Sequence, residues 1–93
     1  MKVVSKISDL KSQIGEWKKA SYSIGFCPTM GSLHAGHLDL VETSKKETDK
    51  TIVSIFVNPT QFNDPKDFEQ YPVKTDDDLL LCESKAVDLV FLP

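Results

Sequence analysis

Ile7, Leu10, Ile14 and Trp17 recur at spacings of 3, 4 and 3 residues with Lys11, Glu16, Lys18 and Lys19 between them, which predicts an amphipathic helix with one apolar stripe turned to a core. Gly15 weakens that helix only modestly. Ile24-Gly25-Phe26-Cys27 is then a short apolar run that Pro28 should close, because proline cannot donate to a central ladder. From Gly36 to about Thr48 the pattern is helical again, with Asp39 and Glu42 ahead of Lys45 and Lys46, the order that complements a helix dipole. Ile52-Val53-Ser54-Ile55-Phe56-Val57 is nearly continuous in apolar, largely β-branched residues and reads as a strand buried on both faces of a parallel sheet, ended by Asn58-Pro59. Asp64-Pro65 predicts a short helix start, and Thr75-x-x-Asp78 has the form of a capping box opening a helix through Leu79, Leu80 and Leu81. Val87 to Leu92 supplies a third strand.

Strands alternating with helices, joined by crossovers long enough for parallel pairing, give an α/β fold: half of a doubly wound parallel sheet, in one domain over residues 1–93, that stops after its third strand. The first strand of such a sheet is normally central. With no later strand to flank it, the run from Ile24 to Cys27 is expected at an unpaired edge.

Composition narrows the function. A net charge of -3 and no run of five or six basic residues argue against a nucleic-acid partner held by broad electrostatic attraction. The start lacks the apolar stretch of a secretory signal, and no apolar run approaches the ~18 residues of a membrane span. A cytoplasmic protein with no membrane partner is the expectation, with Cys27 and Cys82 as reduced thiols, since they are far apart and show no framework spacing.

The chemistry concentrates in Pro28-Thr29-Met30-Gly31-Ser32-Leu33-His34-Ala35-Gly36-His37, between the first predicted strand and its helix. The crevice beyond the strand ends of a parallel sheet is where ligands bind, and a helix starting there directs N–H groups and a positive dipole end at an anion. Gly31 and Gly36 would let a ligand approach the backbone, and His34 and His37 would add two directional donors. If an acid attacks the α-phosphorus of ATP, such donors stabilise the charge that develops on the phosphoryl oxygens. A zinc site from Cys27, His34, His37 and Cys82 is disfavoured because the cysteines lack a close pairing. Asp76, Asp77 and Asp78 read as first-turn carboxylates of a helix rather than as magnesium ligands.

His-x-Gly-His alone is shared by several nucleotidyltransferases and some aminoacyl-tRNA synthetases. The longer run from Pro28 to His37 resembles the signature of the pantothenate synthetase family, and Phe56-Val57-Asn58-Pro59-Thr60-Gln61-Phe62 is similar to that family's second signature. Asp67 to Pro72, the acidic run Asp76 to Asp78, and Val87 to Phe91 fall where the family has similar segments. Ser32 and Ala35 depart from the Ala and Glu often found there.

The resemblance implies a Rossmann-like fold of the HIGH-motif nucleotidyltransferase type and a two-step ligation in the cytoplasm. Pantoate attacks ATP, carried with Mg²⁺, to give pantoyl adenylate and pyrophosphate; β-alanine then displaces AMP. It also implies the sites. Met30, Gly31, Ser32, Leu33, His34, Ala35, Gly36 and His37 would line the ATP site, with His37 and His34 catalytic. Gln61, Pro28, Thr29 and Met30 would meet pantoate, Gln61 would also meet β-alanine, and Asn58 would help shape that pocket. A homodimer is compatible with the resemblance. Family members continue well past residue 93, so only part of an active site is expected in this chain. The alternatives are another nucleotidyltransferase with the same turn, or a nucleotide-binding module without catalysis.

Overall fold

A computed structural model describes residues 1–58, 60, 64–70 and 74–93. Among them, β1 (Lys2–Val4), β2 (Ile24–Thr29), β3 (Lys50–Ile55) and β4 (Leu89–Phe91) form a sheet in the order β1-β4-β3-β2, with every neighbouring pair parallel. Helices α1 (Ile7–Lys19), α2 (Ala35–Glu47), α3 (Pro65–Gln70) and α4 (Thr75–Ser84) lie in the connections. The α/β class and the parallel alternation are those the hydrophobic pattern predicts.

The sheet is sandwiched. On one face Val4, Ile52 and Leu89 meet Leu10, Ile14 and Trp17 of α1; on the other Val53, Ile55 and Val90 meet Val41 of α2 and Cys82 of α4. Adjacent residues of one strand thus serve opposite cores, as the two-residue side-chain period requires, and this is why Ile52 and Val53 of β3 are consecutive apolar residues. Full burial of Ile52, Val53, Leu89 and Val90 contributes about 1.5–3 kcal/mol per side chain, so the two central strands anchor both cores. Ile7 departs from the predicted stripe: it begins α1 and stays 60% exposed. Cys27 and Cys82 are free thiols buried in the same cluster. Burial pushes both thiols up, Cys82 to about 11, so packing rather than reactivity is their role.

Three expectations need correction. The sheet has four strands among the described residues, not three, because Lys2-Val3-Val4 adds to β4; Lys2 N donates to Asp88 O at 3.1 Å and Leu92 N to Val4 O at 2.8 Å. Pro28 does not end its strand, which runs on to Thr29 in register with Ile55. Ser23 and Thr29 present their carbonyls to β3, so the alternate residue Pro28 faces the free edge, where a missing N–H breaks no ladder bond. Finally, α4 has no capping box: its N-cap is Lys74, without a side-chain cap bond.

β2 is the sheet edge, as expected, and it carries Phe26 at 57% exposure. A parallel edge strand with an exposed aromatic side chain is a template for pairing. The 93-residue chain by itself is therefore expected to self-associate, and sedimentation velocity showing a stable monomer would contradict this.

Candidate active site

The strand ends of β2 and β3 open into a cleft of about 450 Å³ lined by Pro28, Thr29, Met30, His37, Ser54, Phe56 and Asn58. Its floor is stitched across the two strands: Thr29 Oγ1 donates to Ser54 O at 2.8 Å and accepts from Gly31 N at 3.2 Å. At the rim, Asn58 Oδ1 accepts from both the backbone N–H and the hydroxyl of Thr60, at 3.0 and 2.7 Å. This small turn fixes the asparagine where the chain leaves β3.

The backbone must reverse between β2 and α2, and it does so through two successive left-handed residues, Gly31 at φ 83° and Ser32 at φ 50°. Glycine accepts such a conformation without strain, whereas serine does not. His34 is then the N-cap of α2, and the two histidines cap the helix reciprocally. His34 Nδ1 accepts from Gly36 N at 3.0 Å, and His37 Nδ1 accepts from His34 N at 3.2 Å. A backbone N–H can only donate, so both Nδ1 atoms are unprotonated and the proton of each neutral ring sits on Nε2. The rings lie 4.1 Å apart at 40°. The pair is thereby set as two Nε2–H donors by the backbone itself. Burial, and then the neighbouring His34, lower the pKa of His37 against an opposing effect of Asp78, which keeps that ring neutral near pH 7.

Both glycines of this loop also pack closely against the protein's own side chains. A β-carbon on Gly36 would come within 2.9 Å of His34 Cε1, and one on Gly31 within 3.1 Å of Asp78 Oδ2. Both spaces are filled by the protein's own side chains. Several loop amides are likewise engaged internally: Ser32 N donates to Asp78 Oδ2 at 2.9 Å and Leu33 N to Asp78 Oδ1 at 2.8 Å. Asp78 is the residue of this loop's surroundings whose placement the sequence pattern does not announce. It was expected to cap α4, yet it is 2% exposed and faces the loop.

The sequence matches the pantoate-beta-alanine ligase family over residues 2–93. The chain belongs to the pantoate–β-alanine ligase family. Pantothenate synthetase of Leptospira biflexa serovar Patoc (strain Patoc 1 / Ames) is 68% identical over 93 residues, 100% of this chain and 33% of that protein. The enzyme of the same name from Leptospira interrogans serovar copenhageni is 58% identical over 92 residues, 98% of this chain and 32% of the other. A crystal structure of pantoate-beta-alanine ligase from Francisella tularensis, complexed with beta-gamma ATP and beta-alanine, matches with a TM-score of 0.94 at 44% identity, covering 100% of this chain and 35% of that one. The chain thus spans about a third of the length of these ligases.

Within this ligase fold, Pro28, Thr29, Met30 and His37 share one cleft with Asn58, and the His34 ring lies tilted against that of His37. Ala35 and Gly36 are exposed in the first turn of α2, Gly31 is buried, and Leu33 packs against the core cluster. Gln61 lies outside the described residues. Asp76 and Asp77 are exposed, and among the described residues no group of three or more His, Cys, Asp or Glu side chains is placed to hold a metal ion. No helix among them is long and apolar enough to cross a membrane.

Proposed function

We propose that this chain supplies the nucleotide-facing part of a ligase that joins pantoate to β-alanine. In the first step a pantoate carboxylate oxygen attacks the α-phosphorus of ATP, the bond to the bridging oxygen breaks, and pyrophosphate leaves with that electron pair. In the second the β-alanine amine attacks the acyl carbon of pantoyl adenylate, AMP departs, and the amine loses a proton. The observation that carries this reading is the backbone-locked histidine pair, with His37 in the cleft formed by Pro28, Thr29 and Met30. Donors fixed before the reaction need no reorganisation as charge develops.

Met30 to His37 are the proposed ATP-facing segment. The amides of Ser32 and Leu33 are engaged by Asp78, so the histidine rings and the first-turn amides of α2 are the donors proposed to face the nucleotide. Pro28, Thr29 and Met30 are the proposed pantoate wall, with Gln61 as the amide that grips pantoate and borders β-alanine. Mg²⁺ is proposed to arrive on the ATP phosphates, since it binds through substrate phosphates and one or two carboxylates more readily than in an all-protein cage. The cytoplasm is the proposed compartment.

ATP–pyrophosphate exchange by the full-length protein tests the reading. Exchange that requires pantoate supports it, and exchange driven by some other acid supports a different nucleotidyltransferase. Replacing Gln61 by alanine is expected to raise the KM for pantoate by about tenfold or more, the scale of losing a hydrogen bond to a charged group, while the KM for ATP stays nearly constant. Equal loss for both ligands would indicate a folding defect instead.

A further inference from the structure

Asp78 unites three observations that its place in α4 does not explain. It is 2% exposed, and both its oxygens are committed to consecutive amides of the β2–α2 loop, Ser32 at 2.9 Å and Leu33 at 2.8 Å. Those amides follow the left-handed pair Gly31 and Ser32. Consecutive N–H groups in such a turn form a concavity that suits an anion. In this protein the anion is a carboxylate from a helix 45 residues further along the chain. The carboxylate also fills the space beside Gly31, where a β-carbon would come within 3.1 Å of Oδ2.

Holding Ser32 in a left-handed conformation is unfavourable for a residue with a β-carbon. Two charge-assisted hydrogen bonds to one buried carboxylate offset that cost. His34 follows one residue after Leu33, so the clamp fixes the point from which both imidazoles are mounted.

We infer that Asp78 is a positioning residue: by occupying the amide nest of the histidine loop it sets His34 and His37 in register for the nucleotide. This rests on the ligase reading above. Asp78 touches no reacting atom in this scheme; it acts through the loop.

The test pairs kinetics with amide exchange on the full-length protein. Asp78→Asn keeps the shape but replaces one acceptor by an NH₂ group facing an N–H. Pantoate-dependent ATP–pyrophosphate exchange is expected to fall about tenfold or more, and His37→Ala is expected to cost much less in this background than in the parent, because residues acting as a unit are not additive. Full additivity of the two losses overturns the proposal. Hydrogen exchange in the unmutated protein keeps the test decisive if the variant fails to fold. The amides of Ser32 and Leu33 are expected to be protected by about 10²-fold or more, on the scale of structured rather than frayed backbone. Exchange at unprotected rates sinks the clamp. If the unmutated protein shows protected amides but no pantoate-dependent exchange, the ligase reading fails while the clamp stands.

Discussion

Replacing His37 by alanine in the full-length protein is expected to slow pantoate-dependent ATP–pyrophosphate exchange by about 10²-fold or more, the scale for losing a donor aimed at developing charge. Near-normal exchange would remove His37 from the reaction. The size of the effect follows from how the ring is held. Its Nδ1 is occupied by the His34 amide at 3.2 Å, so the neutral side chain has one proton to offer, on Nε2, and needs no change of tautomer to offer it. Alanine deletes that donor and one half of the helix cap together. Loss of the cap alone costs about 0.5–2 kcal/mol of stability. Glutamine, which retains an amide donor, is therefore expected to recover part of the rate, whereas a pure folding effect would track thermal stability instead.

The same geometry fixes a pH dependence. Burial first, and then His34, lower the pKa of His37 in the folded protein, with Asp78 acting in the opposite direction. An unfolded chain has the ordinary histidine value of about 6.5, so below that pH it binds more protons than the folded one. Stability is then fully present above about pH 6.5 and declines as pH falls through the lower, folded pKa. Protonation also puts a hydrogen on Nδ1 and breaks its bond from the His34 amide. Urea midpoints measured from pH 7.5 down to 5 should fall with acidification, and the decline should be shallower in His37→Gln.

What could be read from the sequence was whatever a local signal encodes. The nearly continuous apolar run from Ile52 to Val57 announces a strand with a core on each face, and that is where Ile52 and Val53 of β3 lie. The ten residues from Pro28 to His37 carry their own turn and cap chemistry, so the loop and both histidines were legible. The missed features depend on what lies elsewhere. Lys2–Val4 is three residues long and becomes a strand only because β4 offers it an edge. Pro28 reads as a stop in isolation because its tolerance depends on β2 being the outermost strand among the described residues. Asp78 is chemically identical to Asp76 and Asp77, and its partners are 46 and 45 residues away. Only burial against that loop distinguishes it, and no spacing rule within α4 reports this.

Gly25 is the most consequential of these long-range dependencies for stability, and its substitution by alanine is expected to destabilise the protein strongly. In the sequence it is one member of an apolar run. In the fold it lies beneath α2, where an added β-carbon would collide with Ser44 Oγ and come within 2.9 Å of Thr48 Oγ1. Those hydroxyls belong to a partly buried chain: Ser44 Oγ lies 2.7 Å from Thr51 Oγ1 and 3.2 Å from Thr48 Oγ1, and Thr48 Oγ1 donates to Ser44 O. A methyl group here must either push α2 off β2 or break that chain. Overpacking costs about 1–3 kcal/mol, and a hydroxyl left without its partner costs about 1–3 kcal/mol. By either route the expected loss is about 1–3 kcal/mol, to be measured from denaturant midpoints. Since α2 carries His37, tilting the helix should also reduce exchange activity in whatever Gly25→Ala protein remains folded. Adding Ser44→Ala removes the nearest clashing atom and is expected to restore part of both losses. If the double variant is no better than Gly25→Ala, the packing of α2 on β2 is not what requires glycine at this position.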